Sequence, residues 1–262
     1  MLRNGRAIAL SLFLVVVITG LVGGLTWANL YFAHRYIGGQ DFVGLWKGAQ
    51  NLLMQGVTPY GKLTTLYVTP YGELTTINIQ SLVYGHAAVP GEDPLRVNQP
   101  FYIVLLFIPL GVIQDLDLAR AIWMAFLEIG LMGLIVLSIQ LSQWRPGVLP
   151  LFFVFLFGML WMPSLQSLIR GNAILLQALL IFATLRALEL ELDELAGAFL
   201  VFTFFQFEAT GFLLIVLFAW ITYNRRWRVW GGFLMLLAVF LGIGFILIPN
   251  WPVHGLPSLR AM

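Results

Sequence analysis

Cysteine is absent from the chain, which removes disulfides, thiolate metal centres and thiol nucleophiles from consideration. Histidine is scarce: His34, His86 and His254 lie far apart, and no pair has the spacing of a zinc or haem site. No metal and no cofactor is therefore expected. Charge is scarce as well. Only 10% of the 262 residues are Asp, Glu, Lys or Arg, where a soluble domain carries about 25%. The formal net charge of +2 is too small to draw nucleic acid. No polar linker splits the chain, so residues 1–262 are read as a single domain. What is abundant is apolar surface, at 60% of residues. An all-α integral membrane protein follows, with the lipid bilayer as its first partner.

Arg3 and Arg6 precede an apolar run that extends from Ala7 to Phe32. That run is too long for the roughly 7–15 residue core of a signal peptide. It suits a spanning helix of about 20 residues, and residues 7–33 are read as a retained first membrane helix. The two arginines hold its start in the cytoplasm. The expected setting is the cell membrane, multi-pass, with residues 34–99 emerging as an extracytoplasmic loop.

This loop is the one long polar segment. It carries near copies, "TPYGKLTT" from Thr58 and "TPYGELTT" from Thr69, whose Pro-Tyr-Gly turns and β-branched flanks predict a small hairpin or surface turns. Residues 100–248 form a helical membrane core, with apolar runs at about 101–114, 119–141, 148–168, 172–189, 195–222 and 230–248. The expected architecture is a polytopic bundle of about 7–8 spans or partial spans. The run at 101–114 is short and reads as re-entrant. The run at 195–222 is interrupted by "QFEAT" and reads either as one tilted helix or as a hairpin turning at Glu208. Arg225, Arg226 and Arg228 mark an inner turn, and the tail 249–262 returns outside.

Asp41 follows the first span directly. Its simplest role is to cap a helix starting at Phe42. Phe42, Leu45, Trp46, Ala49, Leu52 and Leu53 share one face at helical period, as in a helix lying in the membrane interface. The segment "GGQDFVGLWKGAQNLLMQGVTPYG" also contains an Asp-Phe pair, an aromatic at Trp46, small residues and a Gly-x-x-Pro-Tyr ending at Tyr60. Further on come "NQPFYIVLLFIPLG", with Gln99 ahead of a proline, "RGNAILLQALL", and "AGAFLVFTFFQFEATGFLLIVLFAWITYNRRWR". Together these resemble the GT-C superfamily of membrane glycosyltransferases, most nearly glycosyltransferase family 87, whose members include polyprenyl-phosphate-mannose-dependent enzymes. The resemblance covers almost the whole chain. It departs from the family where Asn172 and Ile174 replace a Gln and an Asn, and where Gln206 and Glu208 stand in place of a Lys.

The resemblance implies an inverting, metal-independent transfer of a sugar, mannose or a related hexose or pentose, from a polyprenyl-phosphate donor to an acceptor on the extracytoplasmic side. Asp41 would be the catalytic base. Gln40, Lys47, Tyr60, Gln99, Arg170, Asn172 and Glu208 are the candidate substrate-binding residues. Arg170 is read as a phosphate ligand beside a starting helix, where free N–H groups favour an anion. That role requires "LIRGNA" to face outward. Lys47 also reads as a snorkelling side chain. Glu208 and Glu128 are acids within apolar runs, and such residues are functional candidates. Glu128 is read as structural, with an arginine of a neighbouring helix as its candidate partner. Asp115 and Asp117 read as caps of a helix near Leu118. Trp123, Trp144, Trp161, Trp220, Trp227 and Trp230 read as interfacial belts. The short chain and the missing Lys support an alternative, a non-catalytic GT-C-like subunit packed with other membrane subunits.

Overall fold

The computed structural model describes residues 2–36, 38–55, 70–92, 95, 99 and 101–247. Among them the chain is helical and contains no strand. The first apolar run forms α1, Leu2–Ala33. A turn through Gly38 and Gly39 leads into α2, Gln40–Gln55. Next comes α3, Pro70–Tyr84. The second Pro-Tyr-Gly copy therefore opens a helix and not a hairpin, because proline is well suited to a first helical position. The first copy, with Tyr60, lies outside the described residues, as does the tail.

The run at 101–114 breaks into α4, Phe101–Leu106, and α5, Ile108–Gly111. Pro109 near the start of α5 has no N–H with which to continue the helix before it. Asp115 then caps α6, Leu116–Leu141, accepting the Leu118 N–H at 2.8 Å. Asp117 sits in the first turn and instead pairs with His34 at 3.7 Å.

The rest of the core alternates in direction. Residues α7, Val148–Leu160, and α8, Met162–Arg170, form one path bent by 50°. They are followed by α9, Ile174–Glu189, and α10, Asp193–Val201. A 3-10 turn at Phe202–Gln206 precedes α11, Phe207–Tyr223, and α12, Trp227–Leu247, completes the bundle. The long run at 195–222 is thus a helical hairpin. It turns at Gln206, two residues before Glu208. Its two legs are antiparallel, because Arg226 past the end of α11 donates to Asp193 at the start of α10 and to the Leu188 carbonyl.

Among the described residues, three helices are long and apolar enough to cross a membrane: Ser11–Ala33, Leu116–Leu141 and Trp227–Ile246. The bent α7–α8 pair passes as a fourth. Their outward faces are apolar, for example Val136, Phe152, Phe157 and Met235, as a lipid solvent requires. Helix contacts use small residues. Cβ atoms at Gly197 and Gly232 would overlap the Val229 and Glu194 carbonyls, so α10 and α12 meet backbone to backbone. The polar link between α1 and α6 is Asn29 Nδ2 to Glu128 Oε2 at 3.0 Å, so the partner of Glu128 is an amide and not an arginine.

This path sorts the connections between two ends. The end of α1, the starts of α2 and α6, the α8–α9 junction and the Gln206 turn lie at one end. The α9–α10 junction and the Arg225–Arg228 turn lie at the other. Thus "LIRGNA" shares the end that carries Asp41.

Candidate functional site

The site is built around a buried arginine. Arg120 lies in the first turns of α6 and is 2% exposed. Its Nη1 donates to the Tyr36 carbonyl at 2.8 Å and its Nη2 to the Ile169 carbonyl at 3.3 Å. The Gly39 N–H donates to the same Ile169 oxygen at 2.9 Å. Glycine is required here. A Cβ at Gly38 would overlap Arg120 Nη2 and lie 2.7 Å from the Ile169 oxygen. Gly39 has φ +79° and would place a Cβ 3.0 Å from Arg120 Cδ. The glycine pair lets the chain cross the guanidinium at contact distance.

Past that crossing, α2 starts at Gln40, with Phe42 and Val43 N–H groups both bonding the Gly39 carbonyl. The apolar face of α2 is covered by protein and does not lie against lipid. Phe42, Val43, Leu45, Trp46 and Ala49 are buried, whereas Leu53 is exposed. Phe42 stacks on Trp123 at 6.1 Å and contacts Phe107 at 6.1 Å. Trp46 Nε1 donates to the Leu110 and Ile113 carbonyls, both at 3.1 Å, and satisfies the break after α5.

Asp41 lies inside the first turn of α2, a favourable place for an anion. Its carboxylate reaches across the fold: Asn172 Nδ2 donates to Asp41 Oδ2 at 2.8 Å. The side chain is half-buried. Gly171, in the left-handed region at φ +70°, ends α8, and a Cβ there would lie 2.7 Å from Phe42 Cβ. The Gly171 carbonyl accepts the Trp123 indole N–H at 2.8 Å. Trp123 is therefore a core residue and not part of an interfacial belt.

Asn172 links three elements. Its Oδ1 accepts the Ile174 N–H at 2.8 Å, which opens α9, and the Gln206 Nε2 at 3.0 Å. From Gln206 the polar chain continues to Gln177. The Gln177 Nε2 donates to the Gln206 carbonyl at 3.3 Å, and also to the Thr203 carbonyl and the Thr210 hydroxyl. Gln177 is fully buried, and its Oε1 has no partner. The tip of the 193–223 hairpin is thereby tied to the carboxylate through amides.

The remaining candidates are more scattered. Gln40 is exposed at the start of α2. Lys47 lies six positions beyond Asp41, about 120° away round the helix. It bonds Gln50 and stands 5.7 Å from the Trp46 ring, and burial pushes its pKa down from the ordinary lysine value. Gln99 is half-buried in the bend before α4. Arg170 is exposed and closes α8, so its cation faces the carbonyl end of its own helix; the helix opening after it starts at Ile174. Glu208 is the second residue of α11, and its side chain lies outside the described residues. Of the residues singled out in the sequence, the structure brings together Asp41, Asn172 and Gln206; Arg120 and Gln177 beside them were not singled out, and Trp123 was read as part of an interfacial belt. Arg120 carried a signal, a charge inside the apolar run "LARAIWMAFL".

Comparison with family models, curated proteins and solved structures gives no match.

Proposed function

We propose that the chain is a membrane glycosyltransferase in which Asp41 is the general base of an inverting transfer from a polyprenyl-phosphate sugar. The acceptor hydroxyl gives its proton to the Asp41 carboxylate as its oxygen bonds to the anomeric carbon. The bond from that carbon to the phosphate oxygen breaks, and polyprenyl phosphate leaves with both electrons. Base catalysis of this kind contributes about 10²–10⁴-fold. The carrying observation is the carboxylate itself, half-buried and oriented by Asn172 on one oxygen. Its bond is a tertiary one, made across the fold, and not a cap on its own helix. The leaving phosphate would be met by Arg170, which is exposed at the same end.

The sidedness proposal rests on charge. Arg225, Arg226 and Arg228 sit in a short turn at the end opposite Asp41. Short arginine-bearing connections stay in the cytoplasm, which leaves Asp41 on the extracytoplasmic face. Purified protein supplied with polyprenyl-phosphate mannose and a short alkyl mannoside tests the reading. Asp41→Asn keeps the shape and the Asn172 contact, so transfer should be lost with the fold intact. Unchanged turnover in this variant rules the base out.

A second reading, a non-catalytic subunit of a membrane complex, is favoured by α1. Its side chains from Ser11 to Gly24 are exposed along the whole stretch. Stable recovery of other membrane subunits with the protein, together with transfer absent in wild type, would favour it.

A further inference from the structure

We propose that Arg120 is a positioning residue that holds Asp41 against Asn172; its catalytic consequence rests on the function proposed above. A buried guanidinium is expensive, because its charge loses its water. The hydrogen bonds of Arg120 go to main-chain carbonyls, those of Tyr36 and Ile169, while Asp117, one turn earlier on α6, favours the charge without bonding it. Those carbonyls belong to segments far apart in sequence. Tyr36 ends the excursion after α1 and lies five positions before Asp41. Ile169 lies in the last turn of α8, three positions before Asn172. The guanidinium therefore ties together the two chain segments that deliver the carboxylate and its amide partner. The Phe32 ring, 5.9 Å from the guanidinium carbon, closes another side. Arg120 Nε has no partner, so the group is not placed to satisfy itself fully. An apolar residue would fill the volume more cheaply, but only a forked donor joins two carbonyls at once. The glycines at 38 and 39 fit the same device, since they bring the backbone down onto the guanidinium.

Two experiments test this, one of which needs no reaction. The chain has no cysteine, so Gln40→Cys with Arg170→Cys, both at exposed positions, gives a clean pair of spin-label sites across the clamp. Continuous-wave dipolar broadening, which reads neighbours as close as the Gly39–Ile169 contact makes these, should give one narrow distance distribution with Arg120 present and a broader or shifted one with Arg120→Met or Arg120→Lys. An unchanged distribution overturns the clamp whatever the enzyme assay reads. Arg120→Lys keeps the charge and protects the test if Arg120→Met fails to fold. In the transfer assay with polyprenyl-phosphate mannose, displacement of the base by about 1 Å costs on the order of 10²-fold. Arg120→Lys should therefore lower kcat by about that factor and leave donor KM within about twofold, as for an interaction realised only in the transition state. A raised KM with unchanged kcat, or no change in either, overturns the positioning role. Asp41→Asn run in parallel separates the two ideas. If that variant still turns over, the base assignment fails, and the spin-label distances alone decide the clamp.

Discussion

Gly38→Ala is a small change with a large expected effect. The new methyl would overlap Arg120 Nη2 and stand 2.7 Å from the Ile169 carbonyl oxygen. The oxygen is main chain and cannot rotate aside, so the 38–39 segment must lift or Arg120 must withdraw. Either movement gives up the bonds that converge on Ile169, from Arg120 Nη2 at 3.3 Å and from the Gly39 N–H at 2.9 Å. Each is worth about 1 kcal/mol net, and overpacking adds about 1–3 kcal/mol. Gly38 is not in the left-handed region, so alanine also restricts the unfolded chain, an offset of about 0.4–1 kcal/mol. The net cost is about 2–4 kcal/mol, equivalent to a Tm lower by about 5–15 °C. Thermal unfolding followed by tryptophan fluorescence in detergent reads it, with Trp46 and Trp123 packed close to the perturbed segment. Gly20→Ala is the control: nothing lies within 4 Å of a Cβ there, and the helix gains up to about 1 kcal/mol. Removing the guanidinium in an Arg120→Ala background should recover about 1–2 kcal/mol of the Gly38→Ala cost, because neighbouring sites are not additive. A Gly38→Ala protein that melts within about 1 °C of wild type, or a cost indifferent to Arg120, refutes the crossing.

Asn172→Ala removes the cap on Ile174 and the bridges to Asp41 and Gln206, and should lower stability by about 1–2 kcal/mol in the same melt. Glu128→Gln keeps an acceptor for Asn29 and should cost under about 1 kcal/mol. Glu128→Leu strands a buried amide and should cost about 1–3 kcal/mol, which the double variant with Asn29→Leu largely restores. Gly197→Ala places a methyl into the Val229 carbonyl and against the Phe233 N–H. Neither atom can yield without parting α10 from α12, so this variant should cost about 3 kcal/mol or more, at the upper range of overpacking.

The helical class and the outward apolar runs were legible because lipid imposes one rule along every exposed segment. Asp115 was legible as a cap for the same kind of local reason: the spacing from cap to amide is fixed by the helix. The hairpin at 193–223 was legible as an alternative, because "QFEAT" interrupts an apolar run, but its turning point at Gln206 depends on Gln177 in another helix. The reading of α2 as a surface helix went wrong because periodicity identifies an apolar face without naming what covers it. Here α3, α4, α5 and α6 cover it. Trp123 was misplaced for a related reason: tryptophan near a helix end suits both a lipid boundary and a buried indole with a carbonyl partner, and only Gly171 decides between them. The second Pro-Tyr-Gly copy was misread because its turn chemistry equally suits the first turn of a helix.

The polar residues at the Asp41 end divide by what they satisfy. In an apolar bundle an unpaired carbonyl or N–H costs about 2–7 kcal/mol, so every interruption of a helix needs a donor or acceptor from elsewhere. Trp46 serves the break after α5, Trp123 and Arg120 serve the end of α8, Asn172 serves the start of α9, and Gln177 serves the 3-10 turn. Each of these side chains is accounted for by broken backbone nearby. Asp41 is different. The amides at its own helix start have Gly39 as acceptor, so the carboxylate is not needed there. Its bond is to a side chain, Asn172, which is already engaged by Ile174 and Gln206. A carboxylate costs more to desolvate than an amide or a hydroxyl, and an asparagine at 41 would offer Asn172 an equivalent acceptor at lower cost. The place of Asp41 in the first turn of α2 favours its charge, and the base role proposed above would use that charge without the helix-capping duty that most such carboxylates perform.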